Sequence, residues 1–276
     1  MNKISIKRRI LNVIFYVLSA IALLLLVTPL VSIFSAVLIE GVKALSWDMF
    51  TKLPQPPGSK GGGIANAIQG TLILVSLSSA ISIPIGFLAG IFMSEYSENG
   101  LSSFLKSITE ILSGIPSIIA GLFVFSVVVL PMGTFSALAG ALALSVLSIP
   151  LIARATESAL ASVPRDIREA ALALGIPKWK AIVWIVVRAA SGGIIAGIML
   201  SIARVAGETA PLLFTAFGSQ YFAKSLLEPV TALPLVIYVY GSSPWEEWVR
   251  LAWGASLLLV ITVTMISVIV KERYGK

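Results

Sequence analysis

Thirty consecutive residues, Ile10 to Ile39, carry no charge, and the runs Gly61 to Ser94, Ile111 to Ala153 and Leu251 to Val270 are equally free of Asp, Glu, Lys and Arg. A bilayer core about 30 Å thick takes about 20 apolar residues in a helix, so each run is long enough to cross it. Ile111 to Ala153 is too long for one crossing and is interrupted at Leu130-Pro131-Met132-Gly133-Thr134, a turn signal, so it reads as two spans. Ala189 to Ala223 is also apolar, apart from Arg204 and Glu208. Six transmembrane helices result. Val230 to Tyr240, which contains Pro234, is too short to cross and is expected to be re-entrant or interfacial.

Composition agrees. Charged residues make up 12% of the chain, half the roughly 25% of soluble domains, and mean hydropathy is +0.98. Disorder needs the opposite balance. The absence of cysteine and histidine removes disulfides, thiol nucleophiles and imidazole relays. No carboxylate pair stands out either, so an intramembrane enzyme finds no support.

Orientation follows from Lys and Arg, which favour cytoplasmic segments. With the N-terminus inside, 14 of the 20 basic residues fall on the inside and five on the outside, Arg204 lying within a span. Both termini are therefore expected in the cytoplasm. This bias, rather than nucleic-acid binding, accounts for the net charge of +7. The first apolar run is about twice the length of a signal-peptide core, so it reads as a retained span.

The chain divides into residues 1–63 (cytoplasmic N-terminus, first span and outside loop) and residues 64–271 (five helices and a large inside loop, 154–188). The outside loop Leu53-Pro54-Gln55-Pro56-Pro57-Gly58-Ser59-Lys60-Gly61-Gly62-Gly63 reads as a flexible connection. It lacks the GxxxxGK[ST] spacing of a phosphate-binding loop. The chain thus has no nucleotide motif, and if ATP is used, another subunit binds it.

The inside loop predicts a short helix. Pro164 suits the first helical position, Asp166 the positive end, and Gly175 the left-handed residue after the last turn. Pro177 opens a second helix toward the fifth span. About ten residues of helix are not stable alone in water, so the segment must dock. Two surfaces fit: lipid headgroups, through its basic residues, or a partner protein, through Ala170, Ala171, Leu172, Ala173 and Leu174.

In the fifth span, Arg204 and Glu208 are four apart and predicted to share a helix face. A charge at a helix centre costs about 2.5–3.5 kcal/mol on insertion scales, so the two must pair, line an aqueous path, or both. A structural salt bridge and a substrate path both satisfy this. Arginine suits an oxyanion because its fork donates two parallel hydrogen bonds. A neighbouring glutamate keeps binding weak enough for release. Pro211 favours a kink just beyond the pair.

Two stretches resemble a known family. Glu169-Ala170-Ala171, then Gly175 and Ile185, is similar to the EAA motif of ABC importer permeases, although Val187-Arg188 stands where that motif usually closes with Leu-Pro. Ala203-Arg204-Val205-Ala206-Gly207-Glu208-Thr209-Ala210-Pro211-Leu212 resembles the ARxxGETAPL signature of phosphate ABC importer permeases, shared by their PstA and PstC branches. Leu45-Ser46-Trp47-Asp48, Gly61-Gly62-Gly63-Ile64, Gln69-Gly70-Thr71-Leu72, Pro84-Ile85-Gly86 and Glu95-Tyr96 match the PstA branch.

The resemblance implies an all-α integral membrane protein with six transmembrane helices, N-in/C-in, and a cytoplasmic coupling helix between spans 4 and 5. It implies a non-catalytic permease for inorganic phosphate in a bacterial or archaeal plasma membrane. The substrate path would use Arg204, Glu208, Thr209 and Ser201; ATPase coupling would use Arg168, Glu169, Ala170, Ala171, Leu174 and Gly175. No cofactor or metal is expected on this chain, ATP and Mg being held by the ATPase. Expected partners are a PstC-like permease in a heterodimer, two ATPase subunits and an extracytoplasmic phosphate-binding protein. A permease for another oxyanion and a secondary transporter are the alternatives.

The remaining polar positions are given structural readings. Asn66, Gln69 and Thr71 are expected at the membrane interface, Gly86/Gly90 and Gly193/Gly197 in helix packing, and Trp245, Trp248 and Trp253 in an outer aromatic belt.

Overall fold

The computed structural model describes residues 3–274, with side-chain environments for residues 8–273. Lys3, Lys7 and Lys276, part of the inside charge tally, lie outside the described side chains. Among the described residues, twelve helical elements follow one another. They are α1 (Lys3–Ala44), α2 (Trp47–Thr51), α3 (Ala65–Glu95), α4 (Gly100–Gly114), α5 (Ser117–Met132) and α6 (Ala137–Ala161). Then come α7 (Arg165–Ala173), α8 (Lys178–Ala189), α9 (Ser191–Ala206), α10 (Ala210–Thr215), α11 (Leu233–Gly241) and α12 (Glu246–Tyr274). Among the described residues the one β-type contact is an isolated bridge between Phe217 and Val230.

Helix α6 is the hub. Its N-cap Ser136 accepts a hydrogen bond from the Ala139 amide, and 61% of its most apolar window is buried. Small residues make this possible. A Cβ on Gly86 of α3 would lie 2.8 Å from Ile152 Cβ, and one on Gly90 would lie 2.5 Å from Thr156 Cβ. On another face of α6, Gly193 of α9 meets Ala159, and Gly197 meets Ala155. Both glycine pairs thus serve backbone approach, which in membranes replaces hydrophobic drive. Two hydroxyls buried on α6 find acceptors one turn back, Ser145 Oγ donating to Ala141 O at 2.7 Å and Ser148 Oγ to Leu144 O at 2.8 Å, whereas buried Thr156 Oγ1, beside Gly90, has no hydrogen-bond partner.

Helix α12 has Glu246 and Glu247 in its first turn and Lys271 and Arg273 in its last, matching the helix dipole. It packs on α11 through Leu251, Ala252 and Ala255 and on the end of α1 near Gly41. The apolar window of α1 is otherwise wholly exposed in this chain. Segment Val230 to Tyr240 is indeed too short to cross. It forms α11, opened by Leu233-Pro234 and buried through Leu235, Val236 and Tyr240.

Among the described residues, four helices, α1, α3, α6 and α12, are long and apolar enough to cross a membrane, and up to six spans result if each of two bent pairs counts as one. The expected third and fifth spans are therefore not single rods. Helices α4 and α5 meet at 104°, and α8 and α9 at 71°. Pro116 explains the first break, because it has no N–H to donate and holds Ile115 extended, at ψ 129°. Helix α4 also begins at Gly100, inside what reads as a charged loop. Its Lys106 and Glu110 face α6, where Lys106 pairs with Glu157 at 2.7 Å and Glu110 with Arg154 at 3.6 Å.

The Pro- and Gly-rich loop of residues 53–63 is tethered rather than flexible. Gly63 N–H donates to Leu53 O, Ile64 N–H to Met49 O, and Trp248 Nε1 to Gln55 O. Gly58, Gly61 and Gly62 take positive φ to make these returns. Trp248 stacks on Tyr240 at 4.3 Å and Trp245 lies against Gly58, so both hold this loop. Asn66, Gln69 and Thr71 are likewise structural anchors. They bond Ser219 O, the Ala223 backbone and Leu233 N–H, tying the long 217–232 connection to α3.

Candidate functional site

Two broken helices face each other inside the apolar zone. The end of α4, the Pro116 break and the start of α5 form one wall of a cleft of about 190 Å³; Leu147 and Leu151 of α6 form a second; Arg204, Val205 and Glu208 form the third. Arg204 is in the last turn of α9, where a cation is favoured by the helix dipole.

Glu208 is not on that helix. Helix α9 ends at Ala206, with Gly207 as its cap, and Glu208 sits in the gap before α10. The reason is local: Pro211 cannot donate to the Gly207 carbonyl, so a continuous helix would leave that carbonyl unpaired. The predicted shared helix face is therefore replaced by a juxtaposition across a break.

Arg204 Nε is 3.9 Å from Glu208 Oε1, a loose contact compared with the roughly 2.7–2.9 Å of a charge-assisted hydrogen bond. The arginine side chain is 63% exposed and the glutamate 20%. The guanidinium thus keeps its donors available at the mouth of the cleft, with a carboxylate close enough to lower the local positive potential.

Ser201 and Thr209 are not on the cleft walls. Ser201 is buried on α9 with no hydrogen-bond partner for its hydroxyl, and half-buried Thr209 precedes α10 without capping it through its side chain. Ser113 and Ser117 do line the cleft, one on each side of the break. The sequence reading passed over them; Pro116 between them was the available signal. Helices α5 and α10 are in backbone contact behind this site, since a Cβ on Gly121 would lie 2.6 Å from Pro211 Cα.

Beyond the C-terminal end of α6, α7 forms the predicted short helix. Pro164 is its cap rather than its first residue. Gly175 has φ +76°, its N–H donates to Leu172 O, and Ile176 N–H donates to Ala171 O, closing the last turn with the left-handed cap. Ala171 is buried against α8, whereas Glu169, Ala170, Leu174 and Gly175 are exposed, Leu174 by 80%. Arg168 points inward, onto Glu95 at the end of α3.

Residues 82–271 match the family model described as binding-protein-dependent transport system inner membrane component. The chain is 40% identical over 270 residues to the phosphate transport system permease protein PstA of Yersinia pestis, covering 98% of this chain and 92% of that protein. It is 43% identical over 215 residues to the probable phosphate transport system permease protein PstA of Methanocaldococcus jannaschii, covering 78% and 76%. The chain belongs to the PstA family of phosphate transport permeases.

Among solved structures, this PstA-family permease resembles a chain of the MetNI methionine ABC transporter in inward-facing conformations. The TM-score is 0.59 at 22% identity, covering 76% of the permease and 92% of that chain. That likeness is one of fold. The Arg204 cleft and the α7 cap both fall within the residues that the family model matches.

Proposed function

We propose that this chain is the membrane-spanning, non-catalytic subunit of an ATP-driven importer and forms, with a PstC-like second permease, the translocation path for inorganic phosphate. The observation that carries this reading is Arg204, with exposed donors at a cleft between two broken helices and only a loose contact to Glu208. A tetrahedral oxyanion takes two parallel bonds from such a fork, and the carboxylate keeps it from being trapped. Half-buried Thr209 extends the path into the break after α9, whereas buried Ser201 does not reach it. Two ATPase subunits hold ATP and Mg, and one docks on the exposed face of α7 through Glu169, Ala170, Leu174 and Gly175. Ala171 seats that helix on α8, and an extracytoplasmic binding protein delivers phosphate. Residues 64–271 form the transport core, in a bacterial or archaeal plasma membrane.

The test is uptake by the assembled complex in vesicles. ATP-dependent accumulation of phosphate, with sulfate and molybdate excluded, is the expected result. Uptake driven by an ion gradient without ATP would favour a secondary transporter, and equal uptake of other oxyanions would remove the phosphate assignment.

Six spans with both termini inside complete the proposal, each bent pair counting as one crossing. The chain has no cysteine, so single cysteines report topology cleanly. Ser59→Cys and Ser243→Cys should react with an impermeant thiol reagent from outside, and Ser162→Cys only from inside. Labelling of position 243 from the cytoplasm would break the arrangement.

Coupling gives a further expectation. No atom lies within 4 Å of where a Gly175 Cβ would stand, so the obstacle to substitution is the backbone alone. A β-branched residue at φ +76° is strained by about 1–2 kcal/mol. Gly175→Val should therefore leave the permease in the membrane but reduce ATPase co-purification or substrate-stimulated hydrolysis. Wild-type values for both would remove Gly175 from the coupling surface.

A further inference from the structure

Arg168 is the one charged side chain of α7 that turns into the protein, and it gathers acceptors from two other helices. Its Nη2 lies 2.9 Å from Glu95 Oε1, and its Nε lies 3.2 Å from the same oxygen. Nη2 also donates to Leu160 O at 2.7 Å, and Nη1 to Val163 O at 2.6 Å. Leu160 is in the last turn of α6, where its carbonyl also accepts from the Val163 N–H, and Val163 follows the helix cap Ser162. Glu95 is the last residue of α3, and its side chain is only 6% exposed. Lys178, at the start of α8, adds a bond to Glu95 O at 3.2 Å and lies 4.2 Å above the Tyr96 ring.

We propose that Arg168 and Glu95 are positioning residues of the transport cycle, a clasp that fastens the coupling helix to the cytoplasmic ends of α3 and α6 so that the three move as one body. The inference rests on the ATP-driven reading above. It takes Arg168 out of the ATPase-contact set and leaves that contact to the exposed residues of α7. The clasp has somewhere to send a displacement. Helices α3 and α6 are locked along the Gly86/Gly90 seam, and α6 carries Leu147 and Leu151 in the wall of the Arg204 cleft. A planar fork is needed, because it serves a carboxylate and two carbonyls at once, whereas an ammonium is a point donor.

The experiment uses the whole complex in vesicles and reads phosphate taken up per ATP hydrolysed. Glu95→Gln keeps shape and acceptor but removes the charge; Arg168→Lys keeps the charge but removes the fork. For both, the clasp expects the ATPase to stay bound and hydrolysis to continue, with uptake per ATP falling about fivefold or more. Loss of the ATPase on purification, with uptake and hydrolysis declining together, would make Arg168 a docking contact and overturn the proposal. An unchanged ratio in both variants would overturn it too. If the unsubstituted complex imports no phosphate on ATP, the broader reading has failed instead. Hydrogen exchange in the unsubstituted complex tests the clasp independently of any variant's folding. Trapping with a non-hydrolysable ATP analogue should alter protection in residues 92–96 and 166–174 together. A change confined to 166–174 overturns the proposal, and should neither variant accumulate, this measurement alone decides.

Discussion

Gly90→Leu is expected to leave almost no folded permease in the membrane. A Cβ at this position would lie 2.5 Å from Thr156 Cβ and 2.6 Å from the Ala153 carbonyl oxygen, so both a side chain and the α6 backbone block it. Four residues earlier the same seam is equally closed, with Ile152 Cβ at 2.8 Å and Ile149 O at 2.9 Å from a Gly86 Cβ. The helices cannot part at one glycine without losing contact at the other. A single overpacked position costs about 1–3 kcal/mol in a core that can adjust, and here the obstacle is backbone, so the upper end or beyond is expected. Stability of a typical domain is only about 5–15 kcal/mol, and α6 is the helix on which α3 and α9 both rest. The measurement is the amount of monodisperse protein recovered in mild detergent. Gly100→Leu is the control, since nothing lies within 4 Å of that site. Wild-type recovery of Gly90→Leu would mean that the α3–α6 seam is not tight.

Glycine pairs four apart in apolar runs were legible as packing because close backbone approach between spans is what small residues provide. Capping of α7 was legible for a related reason: Gly175 alone supplies the left-handed residue that ends the helix. Hydropathy could not show that the expected third and fifth spans are bent pairs, because a run of apolar residues has the same composition whether straight or folded at Pro116 or Ala190. Pro116 carried that information. In the charge-free run Ile111 to Ala153 it was outweighed by the Pro131-Gly133 turn, which the structure also has at Gly133, φ +69°.

Polar residues near span ends were harder still. Asn66, Gln69 and Thr71 have the composition of an interface, yet their partners lie more than 150 residues away in the chain. Only the fold brings the 217–232 connection over α3. The direction of Arg168 was hidden in the same way. A basic residue on a short amphipathic helix ordinarily faces solvent, and its inward turn depends on Glu95 and on the Leu160 and Val163 carbonyls, which only the fold brings to it.

Arg204→Ala is expected to reduce phosphate uptake by about 100-fold, since a lost pair of hydrogen bonds to a charged ligand is worth about 3 kcal/mol. The protein should still accumulate and assemble. Arg204 is 63% exposed and holds the less exposed Glu208 only at 3.9 Å, so its removal breaks no tight hydrogen bond. Glu208→Ala should impair uptake less and shift the balance between inward and outward states, because an unopposed guanidinium holds the anion longer. The stricter test is the exchange Arg204→Glu with Glu208→Arg, which preserves the pair and the net charge. A purely structural bridge between the end of α9 and the start of α10 tolerates this reversal. A phosphate path does not, because position 204 ends a helix and position 208 lies in the break, so the fork would enter the cleft from a different point on the same wall. Uptake is measured in vesicles containing the assembled complex, with the recovered permease quantified beside it. Wild-type uptake by the exchanged protein would return the pair to a structural role and leave the phosphate site to be sought elsewhere along the break.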